Sequence, residues 1–356
     1  MSGDYQTEFV ALDVGDVNGD GKNEIVVAGR NAIRIFRKDG DVFSMINKID
    51  LSRREYILAL DIWDTDGDGV SEVIVSSLGS RHSATDVGGT HSNNVVSSFV
   101  IAYQDGVFKK RVEKLPWLLR VIDTDEGQKL VGQTLGLNYP FDNPIHEIVY
   151  QNGKYQQGKD LGISRGLSVY SLVLAKLDTQ LPERVVSTND DDYLCMYEKT
   201  TAHVSQLSIF GGSVNFVYKS NEYFGGSNSY IQYYGAPRLG ETVDVRRVYI
   251  NPRIIVTKAL GEGKPRLILA RNISPSGRVL QTMKTFTSSE MVAMEWDGLG
   301  IAELWRTRGI GGYVADFSFK DADNDGEKDL VLAIIKSAGS GMGEVSVIAI
   351  YKFARL

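Results

Sequence analysis

The stretch Asp16-Val17-Asn18-Gly19-Asp20-Gly21-Lys22-Asn23-Glu24 decides the fold, because the same nine-residue pattern occurs three times in the chain. It returns as DTDGDGVSE at 64–72 and as DADNDGEKD at 321–329. Each copy has Asp or Asn at positions 1, 3 and 5, Gly at position 6 and an acid at position 9. A sharply turning loop with converging oxygens suits a hard cation, and Ca²⁺ tolerates irregular oxygen shells better than Mg²⁺ does. The sequence therefore predicts three structural Ca²⁺ ions.

The predicted metal residues occupy positions 1, 3, 5, 7 and 9 of each loop. They are Asp16, Asn18, Asp20, Lys22 and Glu24 in the first loop, Asp64, Asp66, Asp68, Val70 and Glu72 in the second, and Asp321, Asp323, Asp325, Glu327 and Asp329 in the third.

These loops are predicted to connect strands, not the helices of an EF-hand. An EF-hand requires a bidentate Glu at position 12, where this chain has Val27, Val75 and Leu332. Each loop is preceded by alternating residues and followed by an apolar β-branched run, as in Ile25-Val26-Val27. Both patterns indicate β-strands. Each loop is therefore the turn of a β-hairpin.

A repeated unit of strand, Asp-rich turn and strand resembles the FG-GAP (integrin α-like, VCBS) repeat, and bacterial VCBS-repeat proteins most closely. The resemblance implies an all-β fold, a β-propeller in which each unit is one blade with calcium in its first hairpin. Further stretches that carry it include Trp296-Asp297-Gly298-Leu299-Gly300 and Glu222-Tyr223-Phe224-Gly225-Gly226-Ser227. Proteins of this kind are exported or cell-envelope proteins with binding or scaffolding roles, often with an additional N-terminal domain.

The spacing of the repeats predicts one propeller domain over residues 1–356, with six blades. The first two loops lie 48 residues apart, which is typical of one blade, and the third begins 257 residues after the second. Degenerate copies fill the gap near 121–131, 174–186 and 255–269. The predicted units are 8–52, 56–115, 116–160, 165–224, 246–310 and 311–356. Residues 211–245 are either an insertion or a degenerate seventh blade, and the fourth strand of the last blade is either absent or provided by residues 3–8.

The degenerate loops are predicted to replace the metal with side-chain cations. Lys176 takes the place of the first ligand in one copy, and Lys258 and Arg266 flank Glu262 in another. A cluster of acids on a tight turn needs a counter-charge, from an ion or from a basic side chain. We expect these blades to fold without metal.

Composition and charge exclude several other classes of protein. A chain with 42% apolar and 24% charged residues is typical of a globular domain, and a net charge of −6 does not suggest nucleic-acid binding. The single cysteine, Cys195, lies in an apolar run and is expected to be a core thiol. No stretch has the 18 apolar residues of a membrane span. The start, MSGDY, does not have the pattern of a signal peptide, yet calcium loops fill most readily outside the cytoplasm, so we expect a periplasmic or cell-surface location.

Aromatic residues between 216 and 234 are the candidate ligand site. Rings interleaved with Gly, Ser and Asn are typical of adaptable recognition surfaces for a sugar or a protein. The predicted ligand-binding residues are Tyr223, Phe224, Tyr230, Tyr233 and Tyr234. The polar segment 79–94 is a second insertion, expected on the same rim.

No residue pattern specifies a catalytic centre. His82, Asp86 and His91 are candidates for a transition-metal site, but their spacing matches no known motif. Acid pairs such as Asp123 with Asp125, or those within Asp190-Asp191-Asp192, are more typical of solvated turns than of glycoside chemistry. The leading hypothesis is therefore a non-enzymatic, calcium-stabilised module that binds a protein or a glycan. The alternative is a carbohydrate-active enzyme on a propeller scaffold, and a third hypothesis is a piece of a larger protein.

Overall fold

In the computed structural model the chain is an all-β six-bladed propeller. The structure describes residues 2–40, 42–52, 54–81, 93–199, 216–234, 245–258, 264–275, 285–337 and 344–352. These residues form six antiparallel sheets arranged as blades, one separate hairpin and one short 3₁₀ helix. No helix in the described part has the length and hydropathy of a membrane span.

The strands follow one another blade by blade. Blade 1 contains β1 (Phe9–Gly15), β2 (Glu24–Gly29), β3 (Ala32–Asp39) and β4 (Val42–Asp50). Blade 2 contains β5 (Glu55–Trp63), β6 (Glu72–Arg81), β7 (Asn93–Val96), β8 (Ser98–Gln104) and β9 (Val107–Leu115). Blade 3 contains β10 (Leu118–Thr124), β11 (Gly127–Gln133), β12 (Ile145–Gln151) and β13 (Lys154–Asp160).

The second half of the chain continues the pattern with one interruption. After the 3₁₀ helix Val169–Ser171, blade 4 contains β14 (Leu172–Ala175), β15 (Arg184–Thr188), β16 (Tyr193–Glu198) and β17 (Phe216–Tyr223). The separate hairpin consists of β18 (Tyr230–Tyr234) and β19 (Val245–Tyr249). Blade 5 contains β20 (Ile255–Lys258), β21 (Pro265–Ile273), β22 (Ser288–Trp296), β23 (Ile301–Arg306) and β24 (Ile310–Gly311), and blade 6 contains β25 (Tyr313–Lys320), β26 (Asp329–Ser337) and β27 (Glu344–Lys352).

Apolar side chains fill the spaces between neighbouring blades. Successive residues of a strand point to opposite faces of its sheet, so Ile25 and Val27 pack toward blade 6 while Val26 and Ala28 pack toward blade 2. Six such clusters separate the six neighbouring pairs of blades. Strands buried on both faces explain why the sequence has continuous apolar runs after the loops instead of strict alternation.

The N-terminal residues close the ring, which was one of the two alternatives that the sequence left open for the last blade. Tyr5 forms a bridge with Ser346 on β27, with both backbone N–H to O distances at 2.9 Å. The Ser2 N–H also donates to the Ile348 carbonyl at 2.8 Å. Blade 6 has three strands of its own, and this segment takes the place of the fourth. First and last blades are therefore joined by hydrogen bonds as well as by packing.

The region predicted as an insertion or a seventh blade is divided between two structures. Residues 216–223 are the outer strand of blade 4, and the two-stranded hairpin β18–β19 lies outside the six blades. Ile231 and Val248 of the hairpin pack with Leu58 and Leu118, which lie near the beginnings of the inner strands β5 and β10. The surplus is therefore an inserted hairpin over one face of the ring, and residues 211–215 and 235–244 lie outside the described part.

Candidate functional site

The three Asp-rich loops connect the first and second strands of blades 1, 2 and 6, and the carboxylate at position 1 organises each turn. In the second loop Asp64 accepts the backbone N–H of Gly67 at 2.7 Å and of Gly69 at 3.0 Å. The first loop repeats both contacts from Asp16, and Asp321 accepts the corresponding N–H at position 6. Positions 4 and 6 have positive φ in every loop, as Gly67 (φ 77°) and Gly69 (φ 89°) do, which explains the preference for Gly or Asn there.

Acidic side chains converge in the loops as the motif predicts. Carboxylate oxygens of Asp64, Asp66 and Asp68 lie within 4.8 Å of one another, and those of Asp321, Asp323 and Asp325 do so as well. The first loop has Asn18 at position 3, so its set is two carboxylates and one amide. Position 7 (Lys22, Val70, Glu327) offers a backbone carbonyl as a further oxygen. This all-oxygen set has the donor chemistry that Ca²⁺ prefers.

The surroundings of one buried oxygen atom indicate whether a cation fits the third loop. The Asp323 side chain is 9% exposed, and its Oδ1 atom has no hydrogen-bond partner among the described residues. A buried carboxylate oxygen without a partner is costly unless a donor or a cation faces it. The residues of this loop therefore fit a bound cation.

The acid at position 9 of each loop is buried and is the first residue of the strand that follows the turn. Glu24, Glu72 and Asp329 are all nearly inaccessible, and each accepts the backbone N–H of position 2, at distances of 3.2, 2.9 and 3.1 Å. Burial raises the pKa of all three carboxyl groups above the ordinary value. A raised pKa means that the charged form is under-compensated, so additional positive charge here is favourable.

A basic side chain from the third or fourth strand of the same blade reaches each acidic loop, which the sequence analysis did not predict. Arg37 contacts both Asp20 (2.6 Å) and Glu24 in the first loop. Arg111 contacts Asp66 (2.7 Å) and Glu72 (2.8 Å) in the second. In the third loop Lys352 contacts Asp323 (2.8 Å) and Asp325. Side-chain cations are therefore not confined to the degenerate loops.

The structure also bears on the side-chain cations that were predicted to replace the metal in the degenerate loops. Within the described residues Arg266 pairs with Glu295 on the next strand at 3.4 Å. Glu262 and the side chain of Lys258 lie outside the described part. Lys176 contributes only its backbone N–H, which donates to Asp125 at 2.7 Å. The Lys258 counter-charge stays a prediction, whereas the described contact of Lys176 with the neighbouring loop uses its backbone and not its charge.

The three acidic loops lie on consecutive blades and contact one another. The side-chain amide of Asn23 in the first loop donates to the Asp321 carbonyl at 2.8 Å. The backbone N–H of Asn23 donates to Asn324 Oδ1 at 2.6 Å. On the other side the Ser71 N–H donates to the Asp16 carbonyl at 2.9 Å. Blades 6, 1 and 2 therefore present one continuous arc of acidic loops on a single rim.

A second charged cluster, the axial cluster, lies at the centre of the ring and consists of Asp13, Asp61, Asp316, Arg253, Arg120 and Lys320. Arg253 follows the hairpin, and its guanidinium binds Asp316 through two bonds of 2.9 and 2.8 Å. It also lies 3.1 Å from Asp61 and donates to the Leu12 and Leu60 carbonyls. One side chain thus joins the inner strands of blades 6, 1 and 2.

Each aspartate of the axial cluster also holds the neighbouring inner strand. Asp316 accepts the Leu12 N–H, Asp13 accepts the Ile62 N–H and Asp61 accepts the Val121 N–H, at 3.1, 2.8 and 2.9 Å. Burial acts to raise the pKa of Asp13, but the charges of Lys320 and Arg253 and the Lys320 and Ile62 hydrogen bonds lower it to about 2. Burial raises the pKa of Asp61 despite Arg120 and Arg253. The cluster therefore depends on its cations to keep the aspartates charged.

The aromatic residues predicted to bind a ligand do not form one surface. Tyr223 is 42% exposed at the end of β17 and lies 4.5 Å from the ring of Tyr193. Phe224 is only 3% exposed and packs in the core between blades 4 and 5. It is therefore a core residue, which corrects the prediction that it contacts a ligand.

The remaining predicted tyrosines lie on the hairpin strand β18. The ring of Tyr233 packs edge-on against Tyr139 at 5.9 Å, and the ring of Tyr230 lies 6.4 Å from Tyr56 on β5. The side chain of Tyr234 lies outside the described part. Of the predicted ligand residues, Tyr230 is the one that lines a cleft.

That cleft lies between blades 1 and 2, and β18 forms one wall. Its volume is about 460 Å³, and its lining includes Arg30, Asn31, Arg54, Tyr56, Asn228 and Tyr230. Gly79, the first residue of the second predicted insertion, lines it as well, so the described parts of both insertions lie on one rim. The lining residues of β1 and β5 are near the beginnings of these strands, whereas the acidic loops follow their ends. The cleft and the acidic arc therefore occupy opposite faces.

The other candidate groups have ordinary surroundings where they are described. Asp123 accepts the Val256 N–H at 2.8 Å, and Asp190 accepts the Tyr139 hydroxyl at 2.5 Å. His146 is half-buried on β12. His82, Asp86 and His91 lie outside the described residues.

Cys195 is expected to resist thiol reagents in the folded protein. Its side chain is 1% exposed, and burial raises the pKa of the thiol, so that little reactive thiolate forms. We expect a chromogenic disulfide reagent to label fewer than about one tenth of the chains before unfolding and nearly all chains in denaturant. A fast stoichiometric reaction in native buffer would contradict a core position.

Part of the chain matches a known family of repeats. Residues 16–75, which include the first two acidic loops, match the FG-GAP-like repeat family. No curated protein sequence matches the chain.

Solved structures similar to the chain include proteins of several kinds. BBS1N, in a complex with ARL6DN soaked with lead, has 12% identity and a TM-score of 0.48, covering 100% of this chain and 98% of that chain. A glucose dehydrogenase has 9% identity and a TM-score of 0.49, covering 99% and 98%. The exotype rhamnogalacturonan lyase YesX has 11% identity and a TM-score of 0.43, covering 98% and 72%. At these identities the similarity concerns the fold alone.

Proposed function

We propose that this FG-GAP repeat β-propeller is a non-enzymatic binding or assembly module of the cell envelope or exterior, stabilised by calcium in its three acidic loops. The observation that carries the proposal is the arc of oxygen-rich loops on blades 6, 1 and 2. Their carboxylates converge within 4.8 Å in two loops, and one buried oxygen, Asp323 Oδ1, has no hydrogen-bond partner in the described part. Bound Ca²⁺ would supply positive charge there and would rigidify each hairpin.

In such a module each position of the acidic loops has its own structural role. Position 1 of each loop fixes the turn through backbone N–H groups, positions 3 and 5 present converging side-chain oxygens, and position 9 accepts the backbone N–H of position 2. Because the loops also contact one another, a rigid loop restrains its neighbour. The rim that carries the hairpin is then free to recognise a protein or a glycan.

Calcium is expected to bind with a stoichiometry near three ions per chain and to raise stability. Each site adds about 2.7 kcal/mol of unfolding free energy when free Ca²⁺ is 100 times its Kd. The measurement is isothermal titration calorimetry with metal analysis, followed by thermal unfolding in Ca²⁺, in Mg²⁺ and in a chelator. We expect the highest midpoint in Ca²⁺ and the lowest in chelator.

A matched pair of variants identifies the sites. Asp68→Asn keeps the oxygen that accepts the Val70 N–H (2.8 Å) but removes a charge from the second loop, so one of the three sites should bind Ca²⁺ more weakly while the stoichiometry stays near three. Asp297→Asn is the control, since Asp297 only caps the β22–β23 turn by accepting the N–H groups of Leu299 and Gly300. A stoichiometry of five or six would refute the division into metal loops and metal-free loops. An unchanged midpoint at millimolar Ca²⁺ would refute calcium stabilisation.

The non-enzymatic role is tested separately with glycan and protein arrays, read both for retention and for cleavage. We expect retention without turnover. Depolymerisation of any polysaccharide that one acid-to-amide substitution abolishes would replace the binding module with an enzyme.

A further inference from the structure

The cleft between blades 1 and 2 has the size and chemistry of a ligand site. Its volume of about 460 Å³ lies within the range of small-molecule and oligosaccharide pockets. Its walls come from rigid elements, namely the β2–β3 turn, the beginning of β5 and the hairpin strand β18. Ile57 and Leu78 at its floor are 3% and 2% exposed, so the cleft offers no open aliphatic pocket of the kind that anchors a peptide side chain.

The charges around the cleft leave an excess of arginine. Glu8 is paired with Arg30, Glu55 lies 2.5 Å from Lys110, and Glu344 is a further acid near Glu8 and Arg30. Arg54 lines the cleft, and Arg247 stacks over the ring of Tyr230 at 4.6 Å. Neither of these two guanidinium groups forms an ion pair within the described part of the chain. The cleft therefore favours a ligand with a negative charge, and a planar guanidinium suits a carboxylate.

The uncharged groups point to a sugar. Tyr56 and Tyr230 present two rings tilted by 49°, beside the amides of Asn31, Asn228 and Gln232. A pyranose has an apolar C–H face that packs on a tyrosine ring and hydroxyl groups that pair with amides. We propose that this cleft binds a uronic-acid oligosaccharide, with the sugar against Tyr56 and Tyr230 and a carboxylate against Arg54. The proposal deepens the binding role proposed above and rests on it.

Binding is tested on the full chain in Ca²⁺ at about 0.15 M salt. The probes are tetrasaccharides of galacturonic, mannuronic and glucuronic acid, the matching neutral tetrasaccharides, and an oligoglutamate peptide, titrated by calorimetry up to 1 mM. We expect at least one uronate to bind at least tenfold more tightly than its neutral counterpart. Arg54→Gln should weaken that binding about 10–100-fold, the equivalent of one charge-assisted hydrogen-bonded pair, and Tyr230→Leu about tenfold.

Arg308→Gln is the control, because Arg308 is an exposed arginine before β24 and does not line the cleft. The Arg308→Gln variant should bind the uronate as tightly as the unchanged protein does. The thermal unfolding midpoints of Arg54→Gln and Arg308→Gln should both equal that of the unchanged protein. Binding only to the peptide, only to neutral sugars, or to no probe at 1 mM would overturn the proposal, as would uronate binding that Arg54→Gln and Tyr230→Leu leave intact. If the protein binds a ligand independently of Arg54 and Tyr230, the proposed binding function stands and only the cleft proposal fails. Cleavage of the probe would contradict the proposed function itself.

Discussion

Replacing Arg253 with methionine is expected to lower the free energy of unfolding by about 3–5 kcal/mol, the cost of breaking a buried ion pair from one side. The side chain is 10% exposed and pairs with Asp316 and Asp61, which are almost fully buried. Its loss leaves these aspartates with Arg120 at 3.5–3.7 Å as the nearest remaining arginine contact. It also removes the donor that joins the Leu12 and Leu60 carbonyls. The measurement is equilibrium unfolding in urea.

Two further variants separate loss of charge from loss of packing. Arg266→Met is the control: Arg266 pairs with Glu295 at 3.4 Å but is 37% exposed, so we expect a change below about 1 kcal/mol. In the Arg253→Met background, Asp61→Asn should recover part of the lost stability, because it removes an uncompensated buried charge. If Arg253→Met lies within about 1 kcal/mol of the unchanged protein, the axial cluster does not hold the inner strands together.

Replacing Arg111 with glutamine is expected to destabilise the calcium-free protein by about 3 kcal/mol. Arg111 is the cation that the structure provides for Asp66 and for the buried Glu72, at 2.7 and 2.8 Å. Without it the second loop has three clustered aspartates and a buried glutamate with no basic partner at that place. Because Ca²⁺ bound as proposed would supply positive charge to the same carboxylates, the loss should shrink at saturating Ca²⁺. The stabilisation by calcium should therefore be larger in the variant than in the unchanged protein.

Arg184→Gln provides the matched comparison for this prediction. Arg184 pairs with Glu198 at 2.6 Å on blade 4, whose degenerate loop has Lys176 in place of the first acid. Its effect on unfolding should be small and the same with Ca²⁺ and with chelator. If Arg111→Gln and Arg184→Gln respond to calcium alike, then Arg111 is a surface ion pair and not the counter-charge of a metal loop.

The two charged features of this propeller differ in how they use cations. The axial cluster has its own two arginines and one lysine, which pair with all three aspartates. The acidic arc has one or two basic side chains per loop for three to five acids, since Lys38 as well as Lys352 contacts Asp323. Calcium is proposed for the arc because its carboxylate oxygens converge within 4.8 Å of one another in two of the loops.

The sequence alone determined the features that depend on neighbouring residues. The period of apolar residues and the repeated turn predicted an all-β propeller of six blades, and the structure confirmed this fold, as it confirmed the burial of Cys195. The predicted fifth unit began at residue 246, whereas blade 5 begins at Ile255 because residues 245–249 belong to the inserted hairpin. The loops were recognisable because Gly and Asn at positions 4 and 6 provide the backbone conformations that the turn needs.

Closure of the ring decided the rest. Arg111 lies 39 residues from Glu72 in sequence, and Arg253 lies 63 residues from Asp316, so no local pattern indicated that they meet. No local pattern indicated that Tyr230 lies beside Tyr56. The sequence around Phe224 indicated a surface aromatic residue, but packing between blades 4 and 5 buries it. Turn and strand chemistry act over a few residues, whereas the charges and rings that complete each site come from strands that only the closed circle brings within a few ångströms.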